Sequence, residues 1–258
     1  MQRLTYVGHA TVLLELGGVR LLTDPLLCHR LGHVVRRVPD PDLETLRDLD
    51  AVLISHAHAD HLHNGSLRDL EHDGPVIVPR GCARLLRRAK VGSVIELDVG
   101  ERHRIGDVEI EAVDAEHDGR RHPLAQDDLT LGYLIDRVYF AGDTDLFEGL
   151  VALRGRADVA LLPVWGWGPR LPAGHLGPET AADAVAHIRP RIAIPIHWGT
   201  MRSPGERTLN DPRAPAKAFA EAVSALDLAT HVEILDPGAA LELDASPESG
   251  DAPPTART

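Results

Sequence analysis

Six consecutive residues, His56-Ala57-His58-Ala59-Asp60-His61, constrain this chain more than any others. Three imidazoles and one carboxylate follow directly on the apolar run Ala51-Val52-Leu53-Ile54. Imidazole nitrogen and carboxylate oxygen are the donors that zinc and related divalent ions take. A buried strand running into a ligand-rich loop is a rigid way to hold such ions. A cluster of surface histidines is the bland alternative, and it loses ground because the rest of the chain supplies further donors at matching places.

Those donors recur after strand-like runs. His117 follows Val108–Asp114, Asp143 sits in Phe140-Ala141-Gly142-Asp143-Thr144-Asp145, and His197 comes directly after Ile192–Ile196. Loops at one edge of a sheet can converge on one cleft, so wide separation in sequence is compatible with a single site.

The remaining pattern fits an α/β fold. Leu4-Thr5-Tyr6-Val7, Thr11–Leu16 and Val19–Thr23 read as short strands, the last two separated by the hairpin signal Gly17-Gly18. Residues 28–49 read as an irregular surface loop with a short helix near Leu43–Leu49. Further strands are expected at Val76–Val78, Val94–Leu97, Val108–Val113, Leu129–Ile135, Arg137–Phe140, Val159–Pro163, Ile192–Ile196 and Val232–Leu235. Helices are expected at Gly81–Ala89, from Pro178 to about His187, and at Pro215–Leu228. Strands dominate each half and helices close each half, which predicts two packed sheets with helices outside. Aromatic residues make up 3% of the chain, so the core must be aliphatic. The tail, 245–258, is polar and Pro-rich and is expected to be disordered, leaving 1–244 as one folded domain.

The formal net charge of −12 argues against a general affinity for nucleic-acid phosphates. Cys28 and Cys82 are the only cysteines and form no metal-type pair, which favours a reduced, cytoplasmic setting. The N-terminus passes straight into a strand pattern without the basic and apolar regions of a signal peptide. No apolar run approaches the roughly 20 residues needed to span a bilayer.

The HxHxDH run, the later single histidine, the Gly-Asp-Thr after a strand and the final Pro-x-His-Trp-Gly-Thr resemble the metallo-β-lactamase superfamily over roughly residues 4–236. The resemblance implies a four-layer αβ/βα sandwich with metals at one edge. It implies that His56, His58 and His117 hold a first metal, that Asp60, His61 and His197 hold a second, and that Asp143 bridges both. Finer motifs, Gly8-His9-Ala10-Thr11-Val12-Leu13, Thr23-Asp24-Pro25, Ser55-His56-Ala57-His58 and His175-Leu176-Gly177-Pro178-Glu179-Thr180-Ala181, are similar to the branch containing N-acyl-phosphatidylethanolamine phospholipase D and ascorbate-6-phosphate lactonase.

The expected activity is that of a dinuclear metal-dependent hydrolase. Two divalent ions, zinc first and Mn2+ or Fe2+ as alternatives, would lower the pKa of a bridging water towards about 7 and polarise the substrate. A small-molecule or lipid-like phosphodiester, lactone or ester is the expected substrate. Asp60 can orient the attacking hydroxide, and His175 is a candidate proton donor or substrate contact, with a plain loop histidine as the other reading. His9 is either an ordinary strand-end residue or a neighbour of the site. Asp24 is read as support for a metal histidine rather than as a mere Asp-Pro turn. His63 is read as a neighbour of the metal ligands or a surface residue. Arg120 and Arg121 could bind an anionic group. Trp165 and Trp167 are expected to wall the substrate pocket rather than staple a loop. The arginines Arg84, Arg87 and Arg88 read as a solvated helix face. A nuclease, a glyoxalase II-like thioesterase and a non-catalytic metal-binding sensor remain alternatives.

Overall fold

Alternating side chains give the first sheet two apolar faces. In the computed structural model of the protein, which describes residues 2–87, 89–120, 128–166, 168, 170–203 and 211–243, Leu4, Tyr6, Val12, Leu14, Leu21, Leu53 and Ile77 join one hydrophobic cluster. Their chain neighbours Val7, Leu13, Leu22, Val52, Ile54, Val76 and Val78 join another. Successive strand residues point to opposite faces, so each strand serves both clusters.

The sheet runs in space as Ala240–Leu243, Gln2–Gly8, Thr11–Leu16, Val19–Thr23, Ala51–Leu53, Pro75–Pro79 and Ser93–Leu97. A second seven-stranded sheet runs as His231–Val232, Ile192–Ile196, Val159–Pro163, Val138–Phe140, Leu131–Ile135, Val108–Asp114 and Arg102–Ile105. Each sheet has three antiparallel and three parallel pairings, the antiparallel ones at the Ala240–Leu243 end of the first sheet and at the Arg102–Ile105 end of the second. The two similar halves expected from the element pattern are therefore explicit in the strand pairing.

The larger cluster fills the space between the sheets and extends to the helices Pro178–Ile188 and Ala214–Ser224, through Val185, Ile188, Phe219 and Val223. Leu46, Leu67 and Cys82 cover the other face of the first sheet from short elements. These are the 3-10 turns Leu43–Leu46 and Cys82–Leu85 and the helix Asn64–Asp69. The result is an αβ/βα sandwich, thinner on the side of the first sheet.

Several elements differ from the sequence reading. The Gly81–Ala89 helix is a single 3-10 turn, opened by Gly81 at φ 91° with no side-chain cap. Arg84, read as part of a solvated face, forms a forked bond at 2.6 and 2.9 Å to the carboxylate of buried Asp128; Arg88 lies outside the described residues. The loop at 28–49 contains a hairpin, Arg30–Leu31 with Val34–Arg36, and Met201–Arg202 adds a third strand to it. Leu26, Val34 and Met201 give this small sheet its own apolar centre. The edge strands Arg102–Ile105 and Ala240–Leu243 and the six-residue helix Asn64–Asp69 were not expected. The expected disorder of 245–258 falls outside the described residues.

Pro195 interrupts no ladder although it lies in a buried strand. Its neighbour His231–Val232 pairs only with Ile192 and Ala193 and ends before Pro195 is reached. The missing N–H therefore leaves no partner unsatisfied on that side.

Candidate metal centre

The segments that carry the donors leave the C-terminal ends of their strands. Asp24 follows Val19–Thr23, His56 follows Ala51–Leu53, His117 follows Val108–Asp114, Asp143 follows Val138–Phe140 and His197 follows Ile192–Ile196. Strand ends of this kind are where open α/β sheets hold ligands. The fold thereby brings together all seven residues named from the sequence as metal donors.

They fall into two main groups, the second of which also takes in His9, while His117, Asp143 and His175 form a further cluster. His56, His58 and His117 each offer a ligand atom within 4.8 Å of the others, with His58 Nδ1 and His117 Nε2 3.1 Å apart. In the second group His61 Nε2 and His197 Nε2 are 3.3 Å apart. Asp60 Oδ2 lies 3.7 and 3.9 Å from these two nitrogens. Asp143 presents Oδ2 at 3.2 Å from His61 Nε2 and Oδ1 at 3.4 Å from His197 Nε2. Four tetrahedral donors about 2.0–2.1 Å from a shared centre would be about 3.3–3.4 Å apart. The observed edges bracket that value.

The opposite atoms of the histidine rings are occupied. His58 Nε2 donates to the Arg120 carbonyl at 2.9 Å, His117 Nδ1 to the Gly174 carbonyl at 2.7 Å, and His197 Nδ1 to the Trp165 carbonyl at 2.8 Å. A carbonyl can only accept, so the nitrogen on that side carries the proton and the inward nitrogen is left as a lone pair. His56 and His61 share one carboxylate. His61 Nδ1 lies 2.7 Å from Asp24 Oδ2, and Ser55 Oγ donates to the same oxygen at 2.5 Å. With its only proton spent, Ser55 Oγ accepts from His56 Nδ1 at 2.9 Å. Asp24 Oδ1 accepts from the Ser55 N–H at 2.7 Å.

The residues fit divalent ions by an independent sign. Among the described residues His56 Nε2 and Asp143 Oδ1 are buried polar atoms that make no hydrogen bond. Orphaned donors and acceptors of this kind are costly, and an ion at the convergence point satisfies them.

Electrostatics agrees. Burial by itself raises the carboxyl of Asp143, but His197 and His61 outweigh it and hold it well below the usual range. Burial and neighbouring His61 push His56 well below the ordinary histidine value. His197 is driven down to about 3, chiefly by burial. His61 goes the other way: burial lowers it, yet Asp143, Asp60 and Asp24 together hold it well above the usual range. The carboxylates of this buried site concentrate negative potential where cations belong.

Three of the nine described non-glycine residues with positive φ stand here: His9, Asp24 and His197, at 59°, 33° and 62°, residue types that enter this region more readily than most. Gly142 has φ 62°, and a Cβ there would stand 2.5 Å from Ser55 Cβ, so the residue before Asp143 must lack a side chain.

The other expected residues are placed as follows. His175 Nε2 lies 3.4 Å from Asp143 Oδ2 and lines the cleft. His9 Nε2 lies 3.1 Å from Asp60 Oδ2. His63 accepts from the Ser66 N–H and caps the short helix. Arg120 lines the cleft, but its guanidinium is engaged by Asp118 at 2.6 Å. Trp165, expected as pocket wall, packs against the core and serves the site by its carbonyl oxygen instead. Arg121 and Trp167 lie outside the described residues.

Sequence reasoning missed the Ser55 relay, the Gly174 and Trp165 carbonyls and the hairpin wall. Ser55 stood in the Ser55-His56-Ala57-His58 motif, but its part in relaying Asp24 to His56 was not read; a carbonyl has no sequence signature.

The cleft over the donors has a volume of about 640 Å³ and is lined by Leu31, Val34, Ala59, Pro172, Ala173 and Arg170, among others. A groove of about 690 Å³, lined by Val7, Leu13 and Arg20, lies on the outer face of the first sheet and contains none of the metal donors.

Such a fold and donor set define a metal-dependent hydrolase. A family described as the Beta-lactamase superfamily domain matches residues 19–198. A UPF0173 metal-dependent hydrolase of Archaeoglobus fulgidus is 29% identical over 94% of this chain and 99% of its own. The N-acyl-phosphatidylethanolamine-hydrolyzing phospholipase D 1 of Caenorhabditis elegans is 31% identical over 84% of this chain and 69% of its own. A metallo hydrolase of Ignicoccus hospitalis superposes with a TM-score of 0.71 at 23% identity, covering 94% of this chain and 99% of the other. The chain belongs to the metallo-β-lactamase superfamily, in the branch of these metal-dependent hydrolases.

Proposed function

We propose that the protein is a dinuclear hydrolase of phosphodiesters, lactones or carboxylic esters. The observation that carries this reading is the convergence of seven donors whose histidines are each held from behind in the ligating tautomer. His56, His58 and His117 would hold one ion, Asp60, His61 and His197 the other, and Asp143 would face both. Two divalent ions, zinc first and Mn2+ or Fe2+ as alternatives, would make water nucleophilic at neutral pH and polarise the ester oxygen. Asp60 then accepts a hydrogen bond from the attacking water and orients it. His175 faces the cleft with Nδ1 on the Ala173 carbonyl at 3.2 Å. Burial lowers its affinity for a proton, but the bond to Asp143 outweighs burial and holds it above the usual histidine value. That suits delivery of a proton to the leaving oxygen.

The relatives support the ester-like substrate class through the phospholipase D named among them. No helix among the described residues is long and apolar enough to cross a membrane, and both cysteines are free thiols; we take the cytoplasm as the working location. The test is metal content and turnover together. Two ions per chain should be found by elemental analysis. A strong chelator should abolish hydrolysis of a chromogenic phosphodiester, lactone and ester panel, and added Zn2+, Mn2+ or Fe2+ should restore it. Turnover that persists in the stripped protein would sink the reading.

The hairpin wall supplies the apolar arm of the site. Leu31→Asp should lower kcat/KM for a hexanoyl ester about tenfold, the worth of roughly two buried methylenes at ~0.8 kcal/mol each. An acetyl ester should change less than about twofold, because its acyl group has no methylenes to bury. An equal loss on both esters, compared by initial rates, would show that Leu31 does not line the substrate's path.

A further inference from the structure

We infer that His9 is a positioning residue that assembles the second metal site from three separate segments, an assignment that rests on the dinuclear reading above. His9 stands in the tight turn between Gln2–Gly8 and Thr11–Leu16, and it is 1% exposed. Its side chain and its backbone act on different donors. The imidazole Nε2 lies 3.1 Å from Asp60 Oδ2. The carbonyl accepts from the His197 N–H at 2.7 Å, and the His9 N–H donates to Thr200 Oγ1 at 2.8 Å. The ring centroid is 4.0 Å from that of His197. One residue of the first sheet therefore fixes a carboxylate from the histidine-rich loop and the backbone of the last histidine on the second sheet.

The local conformation is built for this. Gly8 has φ 126°, and a Cβ there would meet Thr200 at 2.9 Å. His9 follows at φ 59° and hydrogen-bonds directly to His197, itself at φ 62°. Strain of this kind persists only where surrounding contacts over-determine it. Here they do so at the point where the two sheets meet beside the donors.

An imidazole suits the task chemically. It offers one N–H to Asp60 without necessarily bringing a charge, whereas an arginine or lysine would neutralise the carboxylate that a cation needs. The bond turns Asp60 so that Oδ2 also faces His61 and His197, at 3.7 and 3.9 Å. A hydrogen bond to a ligating carboxylate typically changes metal affinity by 10–100-fold.

Two variants separate the donor from the backbone. His9→Asn keeps a residue that tolerates positive φ, but its amide is too short to reach Asp60. His9→Gln places an amide N–H near the position of Nε2. Zinc titration against a competing chelator, with the Co2+-loaded protein followed by visible absorption, reads both sites. Wild type should bind two ions. His9→Asn should weaken the second step about 10–100-fold and leave the first unchanged. His9→Gln should recover most of the affinity with an unaltered cobalt spectrum. If His9→Asn loads like wild type, His9 positions nothing. If Gln is as poor as Asn and the cobalt spectrum changes in both, His9 is itself a ligand and the positioning role is wrong. If wild type binds fewer than two ions, the dinuclear reading fails first, and that outcome is distinct from either result on His9.

Discussion

Asp143→Ala is expected to leave the protein folded, with at most one ion bound and hydrolysis below about one per cent of wild type. The carboxylate meets the second group directly, with its two oxygens at 3.2 Å from His61 Nε2 and 3.4 Å from His197 Nε2, and it shares a cluster with His117 of the first. His175 also meets it, at 3.4 Å. Removing it takes a donor from both proposed ions and the partner from His175. Loss of a merely outer contact already costs about 10–100-fold in affinity or activity, so loss of a donor shared by two ions should exceed the upper figure. The fold should survive, because the described partners of the Asp143 side chain are histidines of the site. Its neighbour Gly142, with φ 62° against Ser55, sets the turn, and that glycine is retained. Elemental analysis, chromogenic turnover and circular dichroism check the three parts. Two ions retained at full activity would remove Asp143 from the centre.

The strands at the heart of the fold were legible because burial on both faces leaves an unmistakable signature. Val159–Pro163 and Ile192–Ile196 are continuous apolar runs and appear in the structure at the residues expected. The helix opened by Pro178 was legible for the same kind of local reason, since proline suits a first turn. What the sequence hid depends on distant partners. Ala240–Leu243 is a strand because Gln2–Thr5 offers it an edge. The Val34–Arg36 strand exists because Met201–Arg202 comes back to pair with it. Four or fewer residues carry too little periodicity to announce such pairings. The Gly81–Ala89 segment erred the other way: its helix-forming residues suggested a length that the fold, passing through Gly81 in a left-handed conformation, does not sustain.

The site divides along the same line. Donor side chains are chemically rare and cluster at strand ends, so they could be named one by one. Their supports are not rare. Backbone carbonyls at Arg120, Trp165 and Gly174 hold three of the five histidines, and any residue could supply such an oxygen. Trp165 shows how this misleads. Its indole drew attention as a pocket wall, while the atom that matters to the site belongs to the main chain. Arg120 repeats the lesson, since its cation is engaged by Asp118 and its carbonyl holds His58.

Asp24 is the support whose loss should be felt most widely. It is fully buried and takes three bonds: from the Ser55 N–H at 2.7 Å, from Ser55 Oγ at 2.5 Å, and from His61 Nδ1 at 2.7 Å. Through Ser55 it also governs the proton on His56 Nδ1, 2.9 Å further on. Asp24→Ala leaves those donors facing a cavity. Breaking a buried charged pair by removing one partner costs about 3–5 kcal/mol. For a chain of this size each kcal/mol moves Tm by about 2–4 °C, so a fall of roughly 6–20 °C is expected in the metal-free protein by scanning calorimetry. The second effect is on loading. With Ser55 free to donate elsewhere and His61 without its partner, one histidine of each group loses its fixed tautomer, and both ions should bind about 10–100-fold more weakly. A purely structural aspartate would lower Tm and leave the affinities of the surviving folded protein alone. Asp24→Asn divides the two effects. The amide is nearly isosteric and limits the cavity, but a carboxamide has one acceptor oxygen where three bonds are needed and offers N–H donors in place of the other oxygen. Its Tm should fall by less than that of the alanine variant, while both metal affinities stay depressed. If Asp24→Asn binds two ions as tightly as wild type, Asp24 does not set the histidine tautomers.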